Sequence, residues 1–222
     1  MSDVIITVRG EHETRRPPEQ GVVRVSVRTE GPERGAVVER LSALSQPIRD
    51  DLTSRKDAGD LAEWSSQRVS IWSNRPWASD GRQLALVHHA AVEFTATFED
   101  FAALSWWVSE ISARDGVQID HVAWQLTPAS ARETEAATAA QAVQVAVDRA
   151  TAYAKALGLT TVEAREVADL GLLTRAEAAP APEMRMMAMR ASADAGGGAP
   201  AVDLQPEEIV VTAGVEARFA AR

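Results

Sequence analysis

SARETEAATAAQAVQVAVDRATAYAKALG, residues 130–158, is the segment that constrains the fold of this chain most strongly. Ser130 and Glu133 have the spacing of a capping box, in which two side chains bond to free backbone N–H groups of the first helical turn. Gly158 is suited to the left-handed conformation that ends many helices. The segment is therefore predicted to form one helix about 40 Å long, given a rise of about 1.5 Å per residue.

One face of this predicted helix consists of small apolar residues. Polar side chains such as Gln144, Asp148 and Lys155 fall on another face, which is the pattern of a helix that packs on one side. Because Ala and Val are short, we expect the neighbouring element to approach the helix closely. The predicted packing face comprises Ala136, Ala140, Val143, Val147, Ala150, Ala154 and Leu157.

Alternation of apolar and polar residues indicates strands in much of the remaining chain. The last of these is the most regular, and we expect it to pair with the N-terminal strands. Segments 64–73 and 84–98 are expected to form an antiparallel hairpin, because an Asp-Gly turn signal separates them. A change of apolar parity predicts a β-bulge near Asp120 and His121. The predicted strands are 4–10, 23–28, 64–73, 84–98, 117–127, 162–170 and 209–219.

Two further helices are predicted. One opens at Pro32, and Pro47 inside it predicts a kink or break near residues 43–46. The other follows Asp100, which can cap it. The charged segment 11–20 is predicted to be a connection. These elements together indicate an α+β fold with mainly antiparallel strands.

The composition argues against several classes of protein. A net charge of −9 with only two lysines disfavours nucleic-acid binding, which requires clustered cations. The absence of cysteine excludes disulfides and thiolate metal sites. No apolar run approaches the roughly 20 residues of a membrane span, and no secretory leader is recognisable. We therefore expect a cytoplasmic protein without a cofactor.

Catalytic motifs are not recognisable in this sequence. There is no nucleophile elbow, phosphate-binding loop, dinucleotide fingerprint or H-E-x-x-H motif. His88 falls on the apolar parity of its strand, which fits either a buried base or ligand, or a hydrogen-bonded core histidine. His88 and His89 point to opposite faces of that strand and cannot share a metal ion without a bulge. We predict no catalytic residues and no metal site.

Two groups of residues are candidates for protein contacts. The first is a methionine cluster in the Ala-, Pro-, Met- and Gly-rich segment 174–206, which is predicted to be a flexible loop. Its thioethers could bind a soft metal, scavenge oxidants, grip a neighbouring subunit or have no function. The second is a set of tryptophans that fits either core packing or an interface. The candidate interface residues are Met184, Met186, Met187, Met189, Trp72, Trp77 and Trp106.

Several short motifs follow one another in a recognisable order. They are ITVRGE at 6–11, a Pro-Glu pair at 18–19 before VVRVSV, AYAKALGL at 152–159, the Ala/Pro/Met loop, and PEEIVVTAGVEARF at 206–219. In this order the chain resembles the SIMPL-domain family, a family of unknown function that includes periplasmic immunogenic proteins of bacteria. Glu19 stands where the family more often has Asp.

The resemblance implies one domain over residues 1–222, with two sheet-and-helix lobes and a C-terminal strand that returns to the N-terminal lobe. The expected lobes are 1–85 plus 205–222, and 86–173. The resemblance implies no catalytic residues, and it implies that some relatives assemble into large rings. Many relatives are exported.

Three functional hypotheses follow. The leading one is a non-enzymatic, oligomer-forming scaffold whose partner is a second copy of itself. The second is an adaptor that binds a peptide or protein strand at a sheet edge. The third is an oxidative-stress-related protein that uses His88 or the methionines.

Overall fold

The computed structural model describes residues 3–173 and 204–222, and of Gln67 it describes only the backbone. Its strands pair antiparallel, so the predicted α+β class is confirmed. Residues 174–203 of the predicted loop, including its four methionines, lie outside the described residues. The elements are β1 (Val4–Arg16), β2 (Gln20–Gly31), α1 (Arg34–Ala58), β3 (Glu63–Asn74), β4 (Val87–Phe98), α2 (Phe101–Ser112), β5 (Val117–Gln125), α3 (Pro128–Ala156), β6 (Val162–Asp169) and β7 (Ile209–Ala221).

The first of two compact units contains residues 3–17, 127–173 and 208–222. Its sheet has the order β1-β7-β6, with β7 in the centre. The C-terminal strand pairs with β1 from Val4 opposite Ala221 to Arg16 opposite Ile209. The predicted return of the last strand to the N-terminal one is therefore confirmed. Helix α3 packs on one face of this sheet.

Helix α3 begins slightly earlier than its sequence pattern predicted. Thr127 is its N-cap and accepts a hydrogen bond from the Ser130 backbone N–H, while Pro128 occupies the first turn. The predicted capping box at Ser130 and Glu133 is therefore wrong, because both residues already lie inside the helix. Gly158 adopts a positive φ of 77° just after the helix, as expected.

The buried face of α3 is also rotated from the predicted one. Ala136, Ala140 and Leu157 are exposed, so their assignment to the packing face was wrong. The buried residues recur every four positions and include two threonines that an apolar pattern does not detect. They are Thr134, Thr138, Ala142, Ala146, Ala150 and Ala154, with Val143 and Val147 partly buried beside them.

Close approach of α3 to β1 depends on Gly10. A Cβ placed on Gly10 would lie 1.9 Å from the Ala142 carbonyl oxygen and 2.6 Å from the Ala146 backbone nitrogen. No side chain fits in that space, so the strand and the helix are in backbone contact at this point. The small residues of the helix and this glycine thus bring the two elements together.

The second unit contains residues 18–126 and 204–207. Its sheet has the order β3-β4-β2-β5, and α1 and α2 share one core with the inward side chains of β2 and β4. The β3–β4 hairpin is confirmed. So is the bulge, because Arg24 pairs with His121 and Val25 with Ile119, which leaves Asp120 as the extra residue.

Three features of the fold differ substantially from the sequence predictions. Strand β1 continues to Arg16, because the charged segment after Gly10 pairs with β7 along its whole length. Helix α1 is continuous through Pro47, which removes one backbone donor without breaking the helix. The units divide near residues 17 and 126 rather than at 85, because β2 pairs with both β4 and β5 and holds all three in one sheet. None of the described helices is long and apolar enough to cross a membrane.

Candidate interaction surfaces

The described candidate tryptophans are all partly open to solvent. The exposed fractions are 46% for Trp72, 69% for Trp77 and 53% for Trp106. By contrast, Trp107 is buried beside Trp106, and its indole N–H donates to Asp51 at 2.7 Å. The four candidate methionines lie outside the described residues. Two of the open tryptophans belong to the β3–β4 hairpin, and Trp106 lies on α2.

Strand β3 carries the most exposed apolar surface of the second unit's sheet. Val69 is 59% exposed and Ile71 is 39% exposed. Their partners on β4, Val92 and Ala90, are buried. Directly paired residues share a face of the sheet. The side chains on this face are therefore buried on β4 and remain exposed to solvent on β3. We call the segment Arg68–Asn74 the β3 edge surface.

The sequence alone did not single out Val69 and Ile71. Their alternation with polar residues indicates a strand with one apolar face, and such a face is normally buried. The missing information is the position of β3 at the edge of the sheet, which depends on pairings between distant segments. Additional exposed apolar residues follow in the connection to β4, namely Trp77, Leu84 and Leu86.

His89 and Trp72 form a stacked pair on the opposite face of the β3–β4 hairpin. Their ring centroids are 5.1 Å apart and their planes differ by 11°. His89 Nε2 lies 2.7 Å from the Asn74 amide oxygen, and its Nδ1 lies 3.4 Å from a Glu30 carboxylate oxygen. The pair lines an open depression of about 380 Å³ with Arg28 and Glu30. These contacts pack one face of the Trp72 ring against the His89 ring.

His88 has a hydrogen-bonding partner on the neighbouring strand. Its Nδ1 lies 2.7 Å from the Ser73 hydroxyl oxygen, and the side chain is half-buried. Since His89 pairs with Trp72 and His88 pairs with Ser73, the two histidines lie on opposite faces. In residues 3–173 and 204–222, no group of three or more His, Asp or Glu side chains is arranged to hold a metal ion.

Ion pairs join β1 and β7 of the first unit's sheet on the face away from α3. Arg9 contacts the buried Glu216 at 2.9 Å, and Glu216 also accepts from the Leu173 backbone N–H. Arg222 contacts Asp3 at 2.9 Å. This hydrogen bond holds the pKa of the Asp3 carboxyl below its ordinary value and raises the pKa of Arg222. The ion pairs join β1 to β7 and satisfy a carboxylate that is 3% exposed.

The geometry thus defines an α+β protein with two antiparallel sheets, whose most distinctive surface in the described residues is an exposed apolar sheet edge. The chain belongs to the SIMPL family, described as a protein of unknown function (DUF541), whose model matches residues 6–219. No curated protein matches the sequence. The resemblance inferred from the short motifs is therefore confirmed over nearly the whole chain.

Proposed function

We propose that this protein is a non-enzymatic scaffold that works by associating with copies of itself. The observation that supports this most is the β3 edge surface, where Val69, Ile71 and Trp72 are exposed on an edge strand. An edge strand offers unpaired backbone N–H and C=O groups to another strand. Exposed apolar side chains on the same strand add a hydrophobic contribution to that pairing.

Comparison with two other edges supports this choice of surface. Edge strands are normally protected by bulges and charges. Strand β6 has an extra residue, Arg165, between Ala164 and Glu166, and β5 has Asp120 as its bulged residue. The irregularity in β3 lies before Arg68, and its pairing is regular from Arg68 to Asn74. That segment contains a single charged residue and no proline.

The mass of the unaltered protein in solution tests the proposal. Size-exclusion chromatography with light scattering at micromolar concentration should give at least twice the chain mass of 23.8 kDa. The mass should fall on dilution if the contact is reversible. A constant mass of 23.8 kDa at all concentrations would contradict self-association.

A second candidate is an adaptor that adds a partner strand to β1. Strand β1 is an edge of the first unit's sheet in the described residues, and its pairing with β7 has no bulge. Val4 and Ile5 are exposed at the start of this strand. An extended apolar peptide could pair there through backbone hydrogen bonds. An affinity pull-down should recover one defined partner, and Ile5→Lys should abolish that recovery.

A further inference from the structure

The side chains of the β3 edge surface differ between its two faces. Val69 and Ile71 lie on the face that packs against the helices, and Arg68, Ser70 and Trp72 lie on the other, because side chains alternate along a strand. One face of this edge is thus apolar. The other face has the cation of Arg68 and the indole ring of Trp72, four positions apart, with the small polar Ser70 midway between them.

We infer that this edge pairs antiparallel with the β3 edge of a second copy. The two strands are related by a twofold axis that lies midway between Ser70 and its copy. This inference rests on the proposed function and names the surface that would carry it. A twofold axis perpendicular to the sheet must lie midway between one residue and its own copy. Directly opposed side chains share a face of the sheet, whereas neighbouring residues of one strand point to opposite faces and cannot oppose each other. With Ser70 on the axis, Val69 lies opposite Ile71 of the partner subunit, and Arg68 lies opposite Trp72 of the partner subunit.

This register satisfies both faces at once. On the apolar face it pairs β-branched residues with each other, which is a favourable cross-strand pairing. On the other face it places a guanidinium opposite an indole ring, where a cation–π contact within about 6 Å is possible. Moving the axis to Ile71 would instead place Val69 opposite Ser73 and Trp72 opposite Ser70. That register separates the cation from the ring and leaves one apolar pair, Ile71 opposite its own copy, where the Ser70 register has two.

The pairing would have a defined size. An isologous contact uses the same surface on both subunits, so one partner occupies it completely. The two four-stranded sheets would become one continuous eight-stranded sheet, whose outer edges are the two copies of β5 with their bulge at Asp120. The predicted building block is therefore a dimer, and any larger assembly would use another surface.

Cysteine crosslinking tests the position of the axis, since the chain contains no cysteine of its own. Ser70→Cys places the introduced thiol opposite its copy, with Cβ atoms roughly 4.5–5.5 Å apart, close to the separation in disulfides. The matched control is Ser66→Cys, an exposed serine on the same strand. Its copy would lie roughly 26 Å away along the strand, at ~3.3 Å per residue.

Mild oxidation should convert most of the Ser70→Cys protein to a dimer that dithiothreitol reverses, and should leave the Ser66→Cys protein monomeric on a non-reducing gel. Equal crosslinking of the two variants would overturn the inferred register. So would oligomeric protein in which Ser70→Cys does not crosslink, although the proposed function would then stand. A strictly monomeric unaltered protein would overturn both.

A charge substitution tests the same surface without a covalent bond. Val69→Lys places an inward-facing cation on the edge, which is a natural means of preventing strand addition. Val167→Lys is the control, because Val167 is also an exposed valine on an edge strand, in the other sheet. We expect Val69→Lys to weaken association at least tenfold and Val167→Lys to leave it unchanged. Equal association of both variants would contradict the inference.

Discussion

Replacement of Gly10 by alanine tests the contact between α3 and β1. The added Cβ would meet the Ala142 carbonyl oxygen at 1.9 Å, the Ala146 backbone nitrogen at 2.6 Å and the Ala146 Cβ at 3.0 Å. Two of these atoms belong to the helix backbone and cannot move by a change of rotamer. To restore an ordinary contact of 3.4 Å, the helix must therefore retreat from the strand by ~1.5 Å.

The expected cost follows from this displacement. Overpacking a core costs about 1–3 kcal/mol when side chains can adjust, and the upper end applies here because the neighbour is backbone. A loss of about 3 kcal/mol lowers the melting temperature by ~6–12 °C in a chain of this length. The stripe of Ala146, Ala150 and Ala154 would also lose its contact with the sheet, which adds to the cost.

Thermal unfolding followed by circular dichroism measures this effect, with Gly35→Ala as the matched control. Gly35 lies in α1, and a Cβ there has no neighbour within 4 Å. That change should not lower stability and should raise it by less than the roughly 0.5–1 kcal/mol typical of a helix interior, because Gly35 lies in the first turn. If Gly10→Ala melted at the same temperature as the unaltered protein, the backbone contact between α3 and β1 would be refuted.

Three further outcomes are expected in stability measurements. Thr127→Ala should lower the free energy of unfolding by about 1 kcal/mol through the loss of a helix cap, and Ser130→Ala should lower it by less. If denaturant titrations gave the reverse order, Ser130 rather than Thr127 would be the cap of α3. Arg9→Ala should cost about 1–2 kcal/mol in the same assay, because the buried Glu216 loses its contact with Arg9 while Arg9 itself is half-exposed. Asp3→Asn should lower the melting temperature at neutral pH. Because the folded pKa of Asp3 is lowered, the difference should vanish as the pH falls through that pKa; a difference that persists in acid would contradict this.

Long-range pairing was predictable where the alternation was uninterrupted. The regular pattern of β7 predicted a strand that pairs with the N-terminal one, and the observed pairing runs the full length of β1. The parity change in β5 predicted the bulge that leaves Asp120 unpaired in the register. Both features are set by local patterns with period two, which a single sequence displays directly.

The packing face of α3 was not predictable from hydrophobicity, because threonine contributes to it. The Thr138 hydroxyl donates to the Thr134 carbonyl at 2.7 Å and lies 2.8 Å from the Thr14 hydroxyl. With its polar atom satisfied inside the structure, the side chain is buried at little cost. The division into units escaped prediction for a different reason, since it depends on β2 pairing with two strands far along the chain.

The β3 edge surface was predictable in part. Its residues were predicted to form one strand of a hairpin, and they do. Whether a hairpin strand is central or at the edge depends on what else pairs with it, and no local pattern reports this. The exposure of Val69 and Ile71 thus became visible only when the order of the sheet was known.

Hydrogen exchange at β3 as a function of protein concentration tests the central claim most directly. If this edge pairs with a second copy, amide exchange in the segment Arg68–Asn74 should slow as the concentration rises through the association range. Exchange in β5, the opposite edge of the same sheet, should not change. Exchange rates in the β3 segment that are the same at every concentration, in protein shown to be oligomeric, would contradict the claim.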